Sequence, residues 1–257
     1  MDDENPDLKN QLTDHIVTTA KAVVGMIPVV GSALAELVCT VIPNQRIDRI
    51  AKFAETLHSK LSKYHEELIR SQLTNENFTE FLEESLMQVI RSTTDERREY
   101  IASIVANGIS PEQNEIIRMR HLLRILSEIN DQEIIWLRFY LVASIGVGVD
   151  EEFRQKHEAT LNIPPAYIGV PDDPSNEEHV LKESYREHLA QLGLLERNYK
   201  VDTKSKQPII GIGNDGQLKI ANYAITPLGR SLLKYIGLSE DGFLPTPLKQ
   251  PLEGEIR

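Results

Sequence analysis

The pattern of hydrophobic and polar positions changes character once along this chain. Residues 16–43, IVTTAKAVVGMIPVVGSALAELVCTVIP, have almost no polar face, and fourteen uncharged residues lie between Lys21 and Glu36. Gly25, Pro28 and Gly31 interrupt the run. Pro28 has no amide hydrogen and pushes Ile27 out of the α region, so the pattern predicts two helical legs, 16–26 and 29–42, joined at the proline. A spanning helix needs about 20 apolar residues, and runs of about 10–14 are more often core or re-entrant segments. The length argument favours a buried core element; the competing reading is a concealed membrane-active hairpin. On the second leg Gly31, Ala35 and Cys39 fall at i, i+4 and i+8. Such a ridge of small side chains lets another helix approach closely, in water or in lipid.

The rest of the chain reads as amphipathic helix and a small hairpin. Ile47, Ile50, Ala54, Leu57, Leu61, Tyr64 and Leu68 are spaced 3, 4, 3, 4, 3, 4. This heptad seam predicts a helix over 45–70 packed along another helix, within the chain or in a second copy. Arg46, Arg49, Lys52, Lys60 and Lys63 flank it against Asp48 and Glu55. They form either a solvated face or a basic surface that meets anionic lipid beside the apolar hairpin. Further helix starts are expected at Asn77 with Glu80, Thr93 with Glu96, Ser110-Pro111 with Gln113, and Asn130 with Glu133. The helix after Asn130 is apolar on most of its circumference and should be central to its domain. Residues 146–176 lack periodicity and hold four prolines, which predicts a loop insertion. A helix follows over 177–192 with Val180, Leu181, Tyr185, Leu189 and Leu192 inward and Gly193 as its cap. Strands are expected near 194–201, 208–213 and 217–225, around the turn Asn214-Asp215-Gly216. Thr226 and Pro227 then open a short helix stopped by Gly237.

This order predicts a mainly α protein. A helical bundle occupies residues 1–110, a winged-helix-like α+β domain 111–237, and a flexible tail 238–257. LAQLGLLERNYK and YAITPLGRSLL resemble the end of a winged-helix unit: recognition-type helix, strand, wing and closing helix. A DNA-reading unit should present a basic helix, yet residues 177–196 hold five glutamates against Lys182 and Arg186. The wing is mildly basic, which leaves Arg197, Lys200, Lys204 and Lys206 as the candidate nucleic-acid residues.

Composition narrows the chemistry. The formal net charge of −11 argues against broad electrostatic binding to nucleic acid. The single cysteine, Cys39, and the acidic opening MDDENPDLKN suit a cytoplasmic protein, membrane-associated when active. Gly211, Gly213 and Gly216 match a dinucleotide fingerprint in letters only, because strand rather than helix is expected after them. The seven histidines show no metal-ligand spacing. No serine, cysteine or lysine has a recognisable nucleophile context, so no enzyme, cofactor or metal is expected. A protein partner or self-association is expected first, an anionic membrane second.

The run TTDERREYIASIVANGIS, the run HLLRILSEINDQEIIWLRFY and the terminal YAITPLGRSLL are together similar to the bacterial abortive-infection alpha-type family linked to phage defence. The apolar hairpin followed by the heptad helix resembles HeLo-like and four-helix-bundle cell-death modules. These resemblances imply a bacterial defence or stress effector whose output is membrane injury. They define no functional residues at positions of this chain. The alternatives are a winged-helix DNA-binding regulator and an oligomeric scaffold joined through the heptad seam.

Overall fold

The computed structural model describes residues 47–110, 112–145, 151–165, 174–202, 207–209 and 218–238. The apolar stretch 16–43 with Gly31, Ala35 and Cys39, the wing residues Lys204 and Lys206, the turn at Asn214 and most of the tail lie outside the described residues. The described chain is mainly α with a small two-stranded antiparallel sheet.

The chain divides into two units, Met1–Glu128 and Ile129–Arg257. In the first, α1 (Ile47–Leu61), α2 (Glu66–Leu73), α3 (Glu76–Arg91), α4 (Asp95–Asn107) and α5 (Gln113–Glu128) form a bundle. Helix α4 buries six successive residues, Ile101–Ala106, because α1, α3 and α5 all pack on it. Gly108 closes α4 beneath Phe81, whose Cε1 would lie 2.8 Å from an added Cβ. The caps sit slightly upstream or downstream of the expected residues. Asn75, not Asn77, caps α3 by accepting from the Asn77 amide at 3.0 Å. Thr94, not Thr93, caps α4 by accepting from the Arg97 amide at 3.2 Å.

Two expectations for this region are corrected. The heptad helix does not run from 45 to 70: it stops at Leu61 and restarts at Glu66. The Ser62 hydroxyl donates to the Ser59 carbonyl at 2.7 Å, and the Tyr64 amide folds back to the Leu61 carbonyl at 2.9 Å. Such local bonds compete with helix propagation. Ile50, Ala54, Leu57 and Leu61 are buried against α4 and α3 of the same unit, whereas Tyr64 and Leu68 lie past the break, half-buried. The second correction is the boundary, expected near residue 110 and found at Glu128. Ile116, Met119, Leu122, Leu123 and Leu126 of α5 are buried and the helix packs on α3 and α4, so α5 completes the first core.

The second unit contains α6 (Asp131–Ile145), α7 (Glu151–Lys156), α8 (Glu158–Leu161), α9 (Pro174–Gln191), β1 (Leu195–Tyr199), β2 (Ile220–Ile225) and α10 (Pro227–Tyr235). The capping box expected at α6 is present: the Glu133 amide donates to Asn130 Oδ1 at 2.9 Å and the Asn130 amide to Glu133 Oε2 at 2.7 Å. Helix α6 is the hub, packing on α8, α9, β2 and α10. The expected loop insertion contains α7, α8 and the first turn of α9, so it is partly helical.

Helix α9 is rotated relative to the sequence expectation. Leu189 is buried, but Val180 and Leu181 are 65% and 52% exposed, and Lys182 is 7% exposed. The Lys182 ammonium donates to the Ala159 and Asn162 carbonyls at 2.6 Å each, at the end of α8, and pairs with Glu178 at 2.7 Å. These carbonyls lack helical partners and favour a cation. Lys182 and Leu189, seven residues apart, therefore define the inward stripe and turn Val180 and Leu181 away from it. Gly193, at φ +72°, ends the helix; its amide donates to Ala190 and the Leu194 amide to Leu189. This is a Schellman cap, with Leu189 and Leu194 both buried, and it reverses the chain into β1.

Strands β1 and β2 pair antiparallel, with Leu195 opposite Ile225, Arg197 opposite Tyr223 and Tyr199 opposite Ile220; a bulge follows Asn198. Beyond them Val201 bridges Pro208, and the Ile209 amide donates to the Lys200 carbonyl at 2.8 Å. Of the strand expected over 208–213, residues 208 and 209 are described, and Pro208 forms an isolated bridge; the remainder lies outside the described residues. Thr226 caps α10 as expected, and Gly229 in its first turn has no room for a Cβ, which would overlap the Leu194 carbonyl and lie 2.9 Å from Ile225 Cγ1.

Candidate interaction surface

Strand alternation places Arg197 on the Leu195 face of β1, opposite Tyr223, and α9 brings Glu187 beside both. Arg197 Nε and Nη2 donate to Glu187 Oε2 at 2.9 and 2.6 Å, and the Tyr223 hydroxyl donates to Oε1. The Arg197 hydrogen bond holds the Glu187 carboxyl below its ordinary range. Burial, and then the bond to Glu187, push the Tyr223 phenol up. Arg186 lies with its guanidinium 5.5 Å from the Trp136 ring centre and 5.3 Å from that of Tyr223, and it is bonded to Glu183. Its Nε is buried without a hydrogen-bond partner, so the ring faces supply the attraction on that edge.

His188 Nδ1 lies 2.6 Å from Glu133 Oε1, on the carboxylate that caps α6. A histidine oriented by a carboxylate is part of a general-base arrangement, but it needs a nucleophile within reach. Ser184, one turn earlier on α9, instead donates to the Leu181 carbonyl at 2.7 Å. The pair thus clamps α9 to α6.

In the first unit, Arg120 Nε donates to Glu84 at 2.8 Å and Nη1 to Glu80 at 2.9 Å, tying α5 to α3. The basic flank of α1 is similarly engaged. Arg49 Nη1 donates to the Ile90 carbonyl at 2.6 Å, Lys60 pairs with Glu99 at 3.3 Å and Lys52 with Asp95 at 3.5 Å. Three of the five cations expected to form a lipid-facing run are therefore in contact with α3 and α4. Among the described residues, no group of three or more histidine, cysteine, aspartate or glutamate side chains is placed to hold a metal, and no helix is long and apolar enough to cross a membrane.

Among the described residues, Met87 and Ile117 are the exposed large apolar side chains of the first unit, and the other six lie in the second. Helix geometry puts Glu177, Val180, Leu181, Ser184 and Gln191 on one outward stripe of α9, and all five are exposed. On the wing, Tyr199, Val201, Ile209 and Leu218 are exposed beside exposed Lys200 and Lys219. Of the sequence-predicted site residues, Ile50, Ala54, Leu57 and Leu61 are core, Arg197 is held by Glu187, and Lys200 is exposed. The Glu187–Arg197–Tyr223 cluster escaped sequence reading because it depends on strand register. The α9 stripe escapes it because residue type alone turns Val180 and Leu181 inward, whereas Lys182 is buried by carbonyls distant in sequence. The comparisons find no matching family model, no matching curated protein and no matching solved structure for this chain.

Proposed function

We propose that this chain is a non-enzymatic interaction protein, a bacterial defence or stress effector whose partner-facing surface is α9 and the wing. One observation carries this reading. His188 is engaged with Glu133, Arg197 and Tyr223 with Glu187, and Lys182 with Glu178, whereas Val180, Leu181, Tyr199, Val201, Ile209 and Leu218 face water. Apolar groups gathered on one surface mark a site of association. The defence context draws on the resemblance of residues 93–110, 121–140 and 223–233 to the abortive-infection alpha-type family. In this reading the output is membrane injury by residues 16–43, whose ridge Gly31, Ala35 and Cys39 suits close helix packing in lipid.

The test is a phage challenge of bacteria producing the protein. Val180→Asp with Leu181→Asp should abolish protection while the protein accumulates. His188→Gln, which retains an amide to face Glu133, should protect fully. Lost protection in His188→Gln, with protection kept in the double variant, would replace association by catalysis. Dye release from anionic liposomes, abolished by Gly31→Leu, tests the membrane output separately. A second reading, duplex DNA bound through the wing, draws on the exposed Lys200 and Lys219. It meets an α9 stripe that carries Glu177 and no lysine or arginine, and retardation of duplex DNA at low salt should be absent.

A further inference from the structure

A cleft of about 410 Å³ opens over the joint between α7 and α8, lined by Arg154, Gln155, Glu158, Leu161 and Asn162. Its volume lies in the range of small-molecule sites, about 300–1,000 Å³. We propose that it binds a free α-amino acid, with Arg154 receiving the carboxylate and Glu158 the ammonium. The cleft lies outside the α9 and wing residues assigned to association. Two opposite charges line it without meeting. Arg154 and Glu158 are four residues apart, the spacing at which a continuous helix joins an acid to a base. Here the helix is interrupted: α7 ends at Lys156, His157 takes φ −111° and ψ 21°, and α8 starts at Glu158. Arg154 lies instead with its guanidinium carbon 5.5 Å from the centre of the Phe139 ring on α6. Among the described residues neither Arg154 nor Glu158 forms an ion pair, and the side-chain amides of Gln155 and Asn162 form no hydrogen bond.

The backbone that carries these groups is held in place. Lys182 takes the Ala159 and Asn162 carbonyls, the Thr160 hydroxyl donates to Gln132 Oε1 at 2.5 Å, and Phe153 is buried. Helix α8 is thereby tied to α9 and α6, and a wall set before the ligand arrives lowers the ordering cost of binding. The lining selects the class of ligand. An inorganic anion would satisfy Arg154 but meet Glu158, and a simple amine would do the reverse. An α-amino acid carries both charges on one carbon. Its carboxylate takes paired hydrogen bonds from the guanidinium, and its ammonium donates to the Glu158 carboxylate. Leu161 supplies an apolar wall for the ligand side chain, and the Gln155 and Asn162 amides serve the polar atoms that remain.

The experiment is ligand-detected nuclear magnetic resonance titration of the full chain with the protein L-amino acids, singly, up to about 10 mM, since an open cleft with few contacts gives millimolar affinity. At least one amino acid should bind. Its N-acetyl derivative lacks the ammonium and the matching amine lacks the carboxylate, and each should bind about tenfold more weakly. Glu158→Gln should lose the preference for the free ammonium and keep that for the carboxylate; Arg154→Gln should do the opposite. Both side chains are exposed, so both variants should melt with the wild type. The derivatives tested on the wild type decide the matter even where a variant melts early. Absence of binding by every amino acid would overturn the proposal. So would an N-acetyl derivative that binds as tightly as its parent, which would leave an anion site, or an amine that does so, which would leave a cation site. Preferences unchanged in a folded variant would move binding away from this cleft and overturn it equally.

Discussion

Glu187 illustrates how a side chain's chemistry is set by what the backbone places beside it. On α9 alone it is one more helical glutamate; with Arg197 and Tyr223 across from it, it becomes an acceptor of three hydrogen bonds. Its folded carboxyl titrates below the ordinary value of 4.5, with the Arg197 hydrogen bond the largest cause. The stabilisation from this cluster is therefore fully present above that value and is lost as the pH falls through the lower, folded value. Glu187→Gln should cost about 1 kcal/mol at neutral pH, and the gap to wild type should close in acid. Urea unfolding at a series of pH values checks this; a gap independent of pH would show that the carboxylate charge contributes nothing. The residues themselves are plain in the sequence. Their meeting is not, since it needs the register Arg197 opposite Tyr223 and the reversal at Gly193.

At the scale of elements, the heptad seam separates what periodicity can and cannot tell. The 3, 4 spacing correctly marks Ile50, Ala54, Leu57 and Leu61 as a buried stripe, because burial follows the helical period. It carries the same spacing through Tyr64 and Leu68, where the helix has already ended. An uninterrupted seam would make a charge at Leu57 and at Tyr64 similarly costly. The observed break gives a different expectation: Leu57→Asp should destabilise by several kcal/mol, because the charge enters a fully desolvated core, and Tyr64→Asp by about 1 kcal/mol or less. Chemical denaturation of the two variants decides between a continuous helix and a turn. Helix α9 offers the complementary lesson. Its C-terminal end is legible from Leu189, Leu192 and Gly193, but its rotation depends on the Ala159 and Asn162 carbonyls that hold Lys182.

For the whole molecule, the division at Glu128 assigns α5 to the first core and makes α6 the centre of the second. Trp136, the single tryptophan of the chain, lies on α6 and is buried there. Its emission therefore reports on the second unit, while far-ultraviolet circular dichroism reports on helices of both. In Leu57→Asp the dichroism transition should shift to lower denaturant and the tryptophan transition should move less. Coincident shifts of the two signals would show that the chain unfolds as one cooperative body.

The sequence by itself determined the class of the fold and the caps at Asn130, Gly193, Thr226 and Gly237. Those features rest on local periods and on backbone groups that only nearby residues can satisfy. Only the tertiary structure decided which unit claims α5, which way α9 faces, and that Arg197 is spent on Glu187 while Val180 and Leu181 are left to water. Each of these turns on groups distant in sequence competing for the same space. A cation finds free carbonyls, a guanidinium finds a carboxylate, and the apolar residues that lose the contest for the core become the surface available to a partner.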